Sequence, residues 1–579
     1  MAEIKQLIVL ASTPGIKRDG TDLDGNNYSD GQWVRFQRGR PKKIGGYNRV
    51  TDTLRGPIHG ILTWSKTTLN NLFSFHTYGI QMVQVDSNGT GSYGIDRTPT
   101  SGFTANDNIL WSFDTMYDSA AGSEKTLVLA LPASLLNDQD EQTERPLFVG
   151  DAVGTGVFTD VSASDVNAVA SGGVFVTPPY AVLYGNNGKV TWSNANEPQN
   201  HTTGDAGTAR VTGAKIIKGA SLRSGSGPAG LLWSLDSVVR MDWIGGNQVF
   251  KFSTLSRNSS ILSANSVVEY DGTYYWIGRD RFLVSNGGEV KELPNDMNLN
   301  WFFDGLNKNY RGKVWGMKIP RYGEIWWFYP RGEATECSHA VIFNVRENTW
   351  YDIELARSAG YHQVAFDYPV MAGYEVDQRR LLVLSGITGA IAIDDILSGD
   401  TSTARCTVKL IDSANHTALL TTDQEFIDGE TLTNESQTGA ATLVDGGALY
   451  SLFTHERGWD AVGDEVGAIK SWFTTSNIGL PTGGVGQSDG QTLNRWSRLV
   501  RVEPDVIQEG EMTMEVIGKE FANSPEVVSE LFTFDSTTAK IDTRIQQRHL
   551  QLKFTSNTSG GKYELGKVLL HIEPGDIRS

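Results

Sequence analysis

A metal centre, a nucleophilic hydrolase or a nucleotide site needs particular side chains at fixed spacing, and this chain offers few such sets. Its nine histidines are scattered, with no HExxH pair and no CxxC for a tetrahedral zinc. No GxSxG turn is present to expose a serine nucleophile. One GxGxxG string occurs, Gly225-Ser-Gly-Pro-Ala-Gly230. Pro228 inside it and the strand-like LLWSLDS after it keep it from opening a phosphate-binding helix, so it reads as a turn. Gly185-Asn-Asn-Gly-Lys189 has the wrong spacing for a P-loop. Around Asp22-Leu-Asp24-Gly25, a calcium-loop register puts Gly20 at position 1 and Gly31 at position 12, so the first acid and the closing Glu are missing. A general acid/base pair for glycoside cleavage is defined by separation in space and cannot be picked out by spacing. The expectation is a chain with no active site, no metal and no cofactor.

The charge balance narrows the partners. With 67 acidic and 50 basic residues the 579-residue chain carries a net charge of −17. That is a poor footprint for gripping phosphates, although an acidic body can surround DNA without holding it. Cys337 and Cys406 are too few for a disulfide framework and suit assembly in a reducing cytoplasm; one bridge between them stays open. The apolar run Leu7–Ala11 is too short for a signal-peptide core or a membrane span, and no later run is longer. The clearest basic cluster is Arg35, Arg38, Arg40, Lys42 and Lys43, in WVRFQRGRPKKIGGY. It lies in a turn-rich stretch with little to bury, so residues 1–50 read as an extended docking arm. The five cations are the candidate assembly contact, placed against an acidic neighbour or against nearby Asp19, Asp22, Asp24 and Asp30.

The elements that would position these residues are strands. Sixty-three glycines, 15 tryptophans and abundant Thr, Asn and Asp favour short strands and many turns. From 51 to 404, units of two to four strands recur at irregular intervals of roughly 40–60 residues, which predicts a β-propeller of six to eight blades. Tyr270-Asp-Gly-Thr, Gly185-Asn-Asn-Gly and Asn286-Gly-Gly are hairpin turns. Trp64, Trp192, Trp276 and Trp350 are placed to fill the wedges between neighbouring blades. Residues 405–472 are poor in aromatics and read as an inserted small β-domain, and LPTGGVGQSDGQ at 480–491 as a loop. From 473 to 579, period-two sets such as Met512/Met514/Val516, Leu550/Leu552/Phe554 and Val568/Leu570/Ile572 predict a β-sandwich-like domain.

Several stretches resemble the tail hub or nozzle proteins of short-tailed bacteriophages, also called packaged-DNA stabilization proteins. PGIKRDGTDLDGNNYSDGQWVRFQRGRPKKIGGY is similar to that family's N-terminal arm. KVTWSNANEPQNH and VVEYDGTYYWIGRDRFLVSNGGEVKELPND resemble its blades, and RLVRVEPDV with QLKFTSNTSGGKYELGKVLLHIEPGD its closing domain. The likeness spans most of the chain through diffuse patterns, and 405–472 stands out as an insertion. It implies a virion protein, assembled in the host cytoplasm, that forms a homo-oligomeric ring, commonly a hexamer, below the portal and its adaptor. Such a ring extends or closes the DNA channel, retains the packaged genome, passes double-stranded DNA without sequence-specific contacts, and holds tail fibres or spikes. No enzymatic activity and no cofactor come with it. An acidic channel lining would keep the passing phosphates from sticking. The alternative is a receptor-binding or glycan-cleaving phage tail propeller. The repeated SxDxGxTW turn of sialidase propellers has its nearest match in Arg346-Glu-Asn-Thr-Trp350, which lacks the Ser, Asp and Gly. A third reading is a cellular kelch-like scaffold.

Overall fold

Short hairpins with one apolar face each must stack or close to bury it. In the computed structural model they close into a ring. The structure describes residues 6–575 except 11, 22–23, 55–56, 67–68, 86–93, 106–108, 121–123, 135–142, 223–226, 247, 363–367, 375–378, 413–416, 422–425, 428, 437, 446–449, 464–465, 479, 482–490 and 493–495.

Six antiparallel four-stranded sheets follow one another in chain order. Blade 1 runs from Ile58–Lys66 to Ile95–Asp96, and blade 2 from Ile109–Asp118 to Thr159–Asp160. Blade 3 runs from Gly173–Thr177 to Gly207–Arg210, and blade 4 from Ile216–Ser221 to Phe250–Ser256. Blade 5 runs from Val268–Tyr270 to Val290–Leu293, and blade 6 from Trp315–Ile319 to Thr349–Glu354. Blade 7 is composite: Ala359–Tyr361, Val370–Tyr374 and Tyr450–His455 are completed by Tyr47–Leu54 from before blade 1. Its first strand lies against the first strand of blade 1, so the ring is closed. The chain is a seven-bladed β-propeller, within the six to eight blades that the repeat spacing predicts.

Local chemistry explains the closure. At Tyr270-Asp-Gly-Thr both central residues take positive φ, 48° at Asp271 and 76° at Gly272, as a two-residue hairpin turn requires. Inner strands carry glycine where a ring from the next blade presses on them. A side chain at Gly60 would strike Phe113 of blade 2, one at Gly219 would strike Phe175 of blade 3, and one at Gly360 would strike Trp315 of blade 6. The wedge tryptophans sit as expected. Trp192 meets Phe250 at 5.4 Å, Trp276 meets Trp233 at 5.7 Å and Trp350 meets Phe282 at 4.7 Å, each pair joining neighbouring blades. Such ring pairs contribute about 0.5–1.5 kcal/mol beyond the area they bury.

The ends of the chain differ from the sequence expectation. Residues 1–50 do not form an extended arm. Gln6–Leu10 pairs with Lys562–Pro574, and the hairpin Val34–Gln37/Arg40–Lys43 joins the same sheet, which continues through Ser497–Glu509 and Ile541–Gln547. Asp30–Gln32 joins the facing sheet beside Ser471–Thr474, His549–Ser556 and Met512–Lys519. The two sheets make a β-sandwich built from both ends of the chain. Ile8, Ile16, Tyr28, Trp33, Val34, Phe36 and Ile44 are buried in one core with Leu552, Phe554, Leu570 and, from blade 6, Phe328 and Tyr351. These apolar residues are sparse, and their partners outside the segment lie hundreds of positions away, so no local pattern marks them.

The insertion also moves. It is a closed six-stranded barrel from Arg379–Thr388 to Ala440–Asp445, set between the second and third strands of blade 7. Residues 405–472 therefore mix the last part of the barrel with blade 7 strand Tyr450–His455 and with Asp460–Val462 and Val466–Ala468, which extend that blade's sheet. The barrel has its own core of Leu384, Leu397, Cys406, Val408, Leu432 and Leu443. Cys337 and Cys406 are buried free thiols. Asp22, and most of the 480–491 loop, lie outside the described residues.

Candidate functional site

A propeller offers two places for chemistry: the axial bore where inner strands converge, and clefts where other elements meet the ring. Several charged side chains on the inner strands, or beside them, are paired across blades. Asp114 of blade 2 accepts the backbone N–H of Thr115 and of Val176, each at 2.8 Å, and faces Lys218 of blade 4. Burial raises the Asp114 carboxyl and lowers the Lys218 ammonium, and their mutual attraction opposes both shifts. Lys318 donates to Glu269 at 2.6 Å. Glu336 is bonded by Lys313 and lies 3.3 Å from His59 Nε2. The hydrogen bonds and charges of Lys313 and His59 hold the Glu336 carboxyl low against the opposing effect of its burial. Between Ser112, Lys218 and Asn265 the free volume is about 20 Å³. That is room for about one water, whereas ligand pockets run to several hundred Å³. The charged side chains named here are paired with one another.

The second place is a cleft of about 380 Å³ where residues 17–30 pass between blade 6 and the sandwich. Asp19, Asp24, Asp30 and Glu526 line it, together with Trp301 and Trp472. Each carboxylate is committed. Asp19 accepts the backbone N–H of Asn300 at 2.7 Å and of Trp301 at 2.8 Å, capping the short helix Leu299–Gly305. Lys17 donates to Asp24 at 2.8 Å. Arg18 bonds Asp30 and reaches Asp352 at 3.0 and 3.1 Å. Lys519 pairs with Glu526 at 3.3 Å. Both indoles are covered as well: the Arg331 guanidinium lies 3.8 Å from the Trp301 ring centre and Lys553 Nζ lies 4.4 Å from that of Trp472.

The five basic candidates do not form one surface. Arg35 is 1% exposed and makes a two-pronged ion pair with Glu456, at 2.8 and 2.5 Å. It also donates to Glu324 at 3.1 Å and stacks 3.6 Å over Tyr322. Glu324 accepts further bonds from Tyr351 at 2.6 Å and Trp326 at 2.8 Å. Burial raises the Glu324 carboxyl, and Arg35 is the main opposing influence. This buried node ties the sandwich to blade 6 and to the end of blade 7. Lys43 is also fully buried and donates to the Gly561 carbonyl at 2.8 Å. Arg40 and Lys42 approach Glu564 at 3.5 and 3.8 Å. Arg38 turns the hairpin with φ 51° and is exposed. None of the five pairs with Asp19, Asp24 or Asp30 among the described contacts, since Lys17 and Arg18 occupy two of those acids. Sequence reasoning missed Glu324 and Glu456, because a single Glu carries no mark of a partner hundreds of residues away.

No protein-family model matches the chain. No curated protein matches it either. Solved structures similar to it include an ancestral GH74 enzyme, 10% identical over 60% of this chain and 50% of that one, at a TM-score of 0.35. The WD40 domain of Toxoplasma gondii coronin is 10% identical over 60% of this chain and 86% of that one, at 0.29. An exo-β-1,3-galactanase from Phanerochaete chrysosporium is 10% identical over 91% of this chain and all of that one, at 0.25. No residue role is carried over from them, and the propeller assignment rests on the closed ring of blades.

Proposed function

We propose that the chain is a structural subunit of a ring-shaped assembly, the tail hub or nozzle of a short-tailed bacteriophage. In that reading it sits below the portal and adaptor, extends or closes the DNA channel and performs no catalysis. The observation that carries the reading is that the charges of the inner strands and those of the cleft beside blade 6 are already committed to the fold. Asp114 faces Lys218, Lys318 bonds Glu269 and Lys313 bonds Glu336, and the cleft's four carboxylates are all bonded. What is left for function is the outer flanks of a rigid body, as subunits of a closed ring need. The buried Arg35 node supports this, because it locks sandwich and propeller into one unit. The diffuse resemblance along most of the chain supplies the phage context, and the net charge of −17 suits a channel wall that does not retain DNA. Native mass spectrometry and electron microscopy of the full-length chain test it, with closed rings that bind the adaptor end of a portal complex as the expected result. A chain that stays monomeric at every concentration and ignores that complex overturns it.

One observation favours a second reading, a glycan-binding or glycan-cleaving tail propeller: Trp301 and Trp472 stand beside carboxylates in the 380 Å³ cleft. Release of reducing sugar from host surface polysaccharide, abolished by Trp301→Ala, would establish it. Absence of both binding and release across a glycan array would dismiss it.

A further inference from the structure

One pair of consecutive residues stands where the ring closes and the sandwich joins it. His455 ends the third strand of blade 7, and Glu456 follows it at φ 63°, a left-handed bend. The Glu456 carboxylate goes to Arg35 in the node that holds the sandwich. The His455 side chain stays in the propeller, opposite Tyr47 at the start of the closing strand Tyr47–Leu54. Tyr47 in turn packs on Trp33 of the sandwich core, with ring centres 6.2 Å apart. Blade 7, the closing strand and the sandwich therefore meet at one imidazole.

That imidazole is held in one protonation state. It is 3% exposed and stacks on the Tyr47 ring at 5.2 Å. Its Nε2 accepts from Arg357 Nε at 3.0 Å. Arg357, in the connector between blades 6 and 7, is 4% exposed and lies 4.6 Å from the ring centre of Tyr47 and 4.2 Å from that of Phe453. A guanidinium only donates and keeps its charge, so Nε2 has to remain a bare acceptor and the ring proton sits on Nδ1. Arg35, by contrast, faces two carboxylates.

The surroundings do not offset a second positive charge. The connector brings Arg357, and the closing strand brings Tyr47, with Arg49 further along it opposite Phe453. Next to His455 on its own strand, Glu456 is taken by Arg35, and Arg457 lies 6.0 Å from the Tyr368 ring centre. The His455 backbone N–H donates to the Pro369 carbonyl at 2.8 Å, a side that brings no charge. Among the described residues, burial and then Arg357 hold the imidazole well below its ordinary 6.5. A proton arriving on Nε2 would set N–H against N–H and two buried cations 3.0 Å apart, so the pair has to part to accept it. We infer that His455 and Arg357 form an acid-released clasp: protonation of His455 parts the closing strand from the third strand of blade 7 and loosens the joint between propeller and sandwich, while the other six blades stay folded. The clasp lies within one chain and stands whether or not chains assemble into rings. The opened joint binds a proton that the closed joint refuses, so closure is complete above pH 6.5 and weakens as pH falls below it.

Hydrogen exchange of the full-length chain, read by mass spectrometry and normalised to the unstructured-chain rate at each pH, tests the clasp. Protection of Tyr47–Leu54 and Tyr450–His455 should fall at least tenfold between about pH 7 and about pH 5 and return on neutralisation, while the inner strands of blades 1 to 6 stay protected. His455→Gln accepts from Arg357 through its amide oxygen without titrating, and Arg357→Gln still donates to His455 but carries no charge. Each should keep the protection within twofold across the same range. A closing strand that stays protected in the parent at about pH 5, or a loss spread evenly over all seven blades, overturns the clasp without recourse to a variant. Acid loosening that survives in either folded substitution overturns it as well.

Discussion

Two of the segments that lie outside the plain blades are attached in opposite ways. Residues 6–45 supply strands to both sheets of the sandwich, and their apolar side chains merge with blade 6 in one continuous core. The barrel, 379–445, is inserted between two strands of blade 7, and among the described residues its core contains no propeller residue. Attachment by shared core and buried charge makes a segment part of the rigid body. Attachment by two chain crossings leaves it thermodynamically separate. The contrast implies that damage to the first segment spreads through the molecule, whereas damage to the second stays local.

The largest expected effect comes from removing residues 1–45. The seven buried apolar side chains there each contribute roughly 1.5–3 kcal/mol of burial, together on the order of 10–20 kcal/mol, against a typical net stability of about 5–15 kcal/mol. The truncated chain should lose the sandwich, seen as aggregation or as rapid proteolysis of residues 471–574. A soluble truncated chain with its sandwich protected would mean that the segment is docked rather than woven in.

A smaller and sharper probe is Arg35→Met. It leaves Glu324 and Glu456 buried without their cation, and breaking such a buried pair costs about 3–5 kcal/mol. The midpoint of denaturant unfolding should fall accordingly, with propeller and sandwich still melting together. A change below about 1 kcal/mol would mean that the node is not what couples them.

Much of this was legible in the sequence, for identifiable reasons. Hairpin turns such as Tyr270-Asp-Gly-Thr and wedge residues such as Trp276 and Trp350 act over a few residues or between consecutive blades, so their pattern is local. The buried sets Met512/Met514/Val516 and Val568/Leu570/Ile572 were readable because strand alternation is local too. The N-terminal strands were not, because Gln6–Leu10 and Val34–Gln37 owe their existence to strands at the other end of the chain. Barrel strand Arg379–Thr388, with its LLVLSGIT run, has the same texture as a blade strand, which placed the boundary too late. As for the candidate contact, a basic run reads as surface unless its acidic partners are known. Arg35 and Lys43 are the two for which that assumption fails.

Lys43 gives a pH test of the woven segment. Burial lowers its ammonium from the ordinary lysine value of 10.5 to about 8, with Asp460 opposing. Between those two values the unfolded chain binds a proton that the folded chain has shed, so stability rises with pH across that window. After allowance for solvent screening the gain is about 2 kcal/mol. It is present in full above 10.5 and lost as pH falls through 8. Lys43→Met should flatten this rise and leave the protein more stable than the parent at pH 7. A parent curve equally flat between pH 8 and 10.5 would place Lys43 in contact with water.

The smallest effect is expected where the comparison is most exposed. Tyr374 and Tyr450 stand directly opposite each other in blade 7, so residues 375–449 can be replaced by Asn-Gly, the two-residue turn that closes such a hairpin. All 15 tryptophans lie outside the barrel, so their fluorescence reports the rest of the molecule alone. Inside the barrel, the Glu430 carboxylate is held by its own neighbours, Ser402 at 2.9 and 2.8 Å and Ile427 at 2.8 Å. Removal should therefore leave no orphaned charge on the blade. The tryptophan-detected unfolding midpoint should move by less than the equivalent of about 1 kcal/mol, near the scatter of ordinary surface changes. A loss of 3 kcal/mol or more, of the order of a broken buried pair, would show that the barrel braces blade 7, and the two segments would then differ in degree rather than in kind.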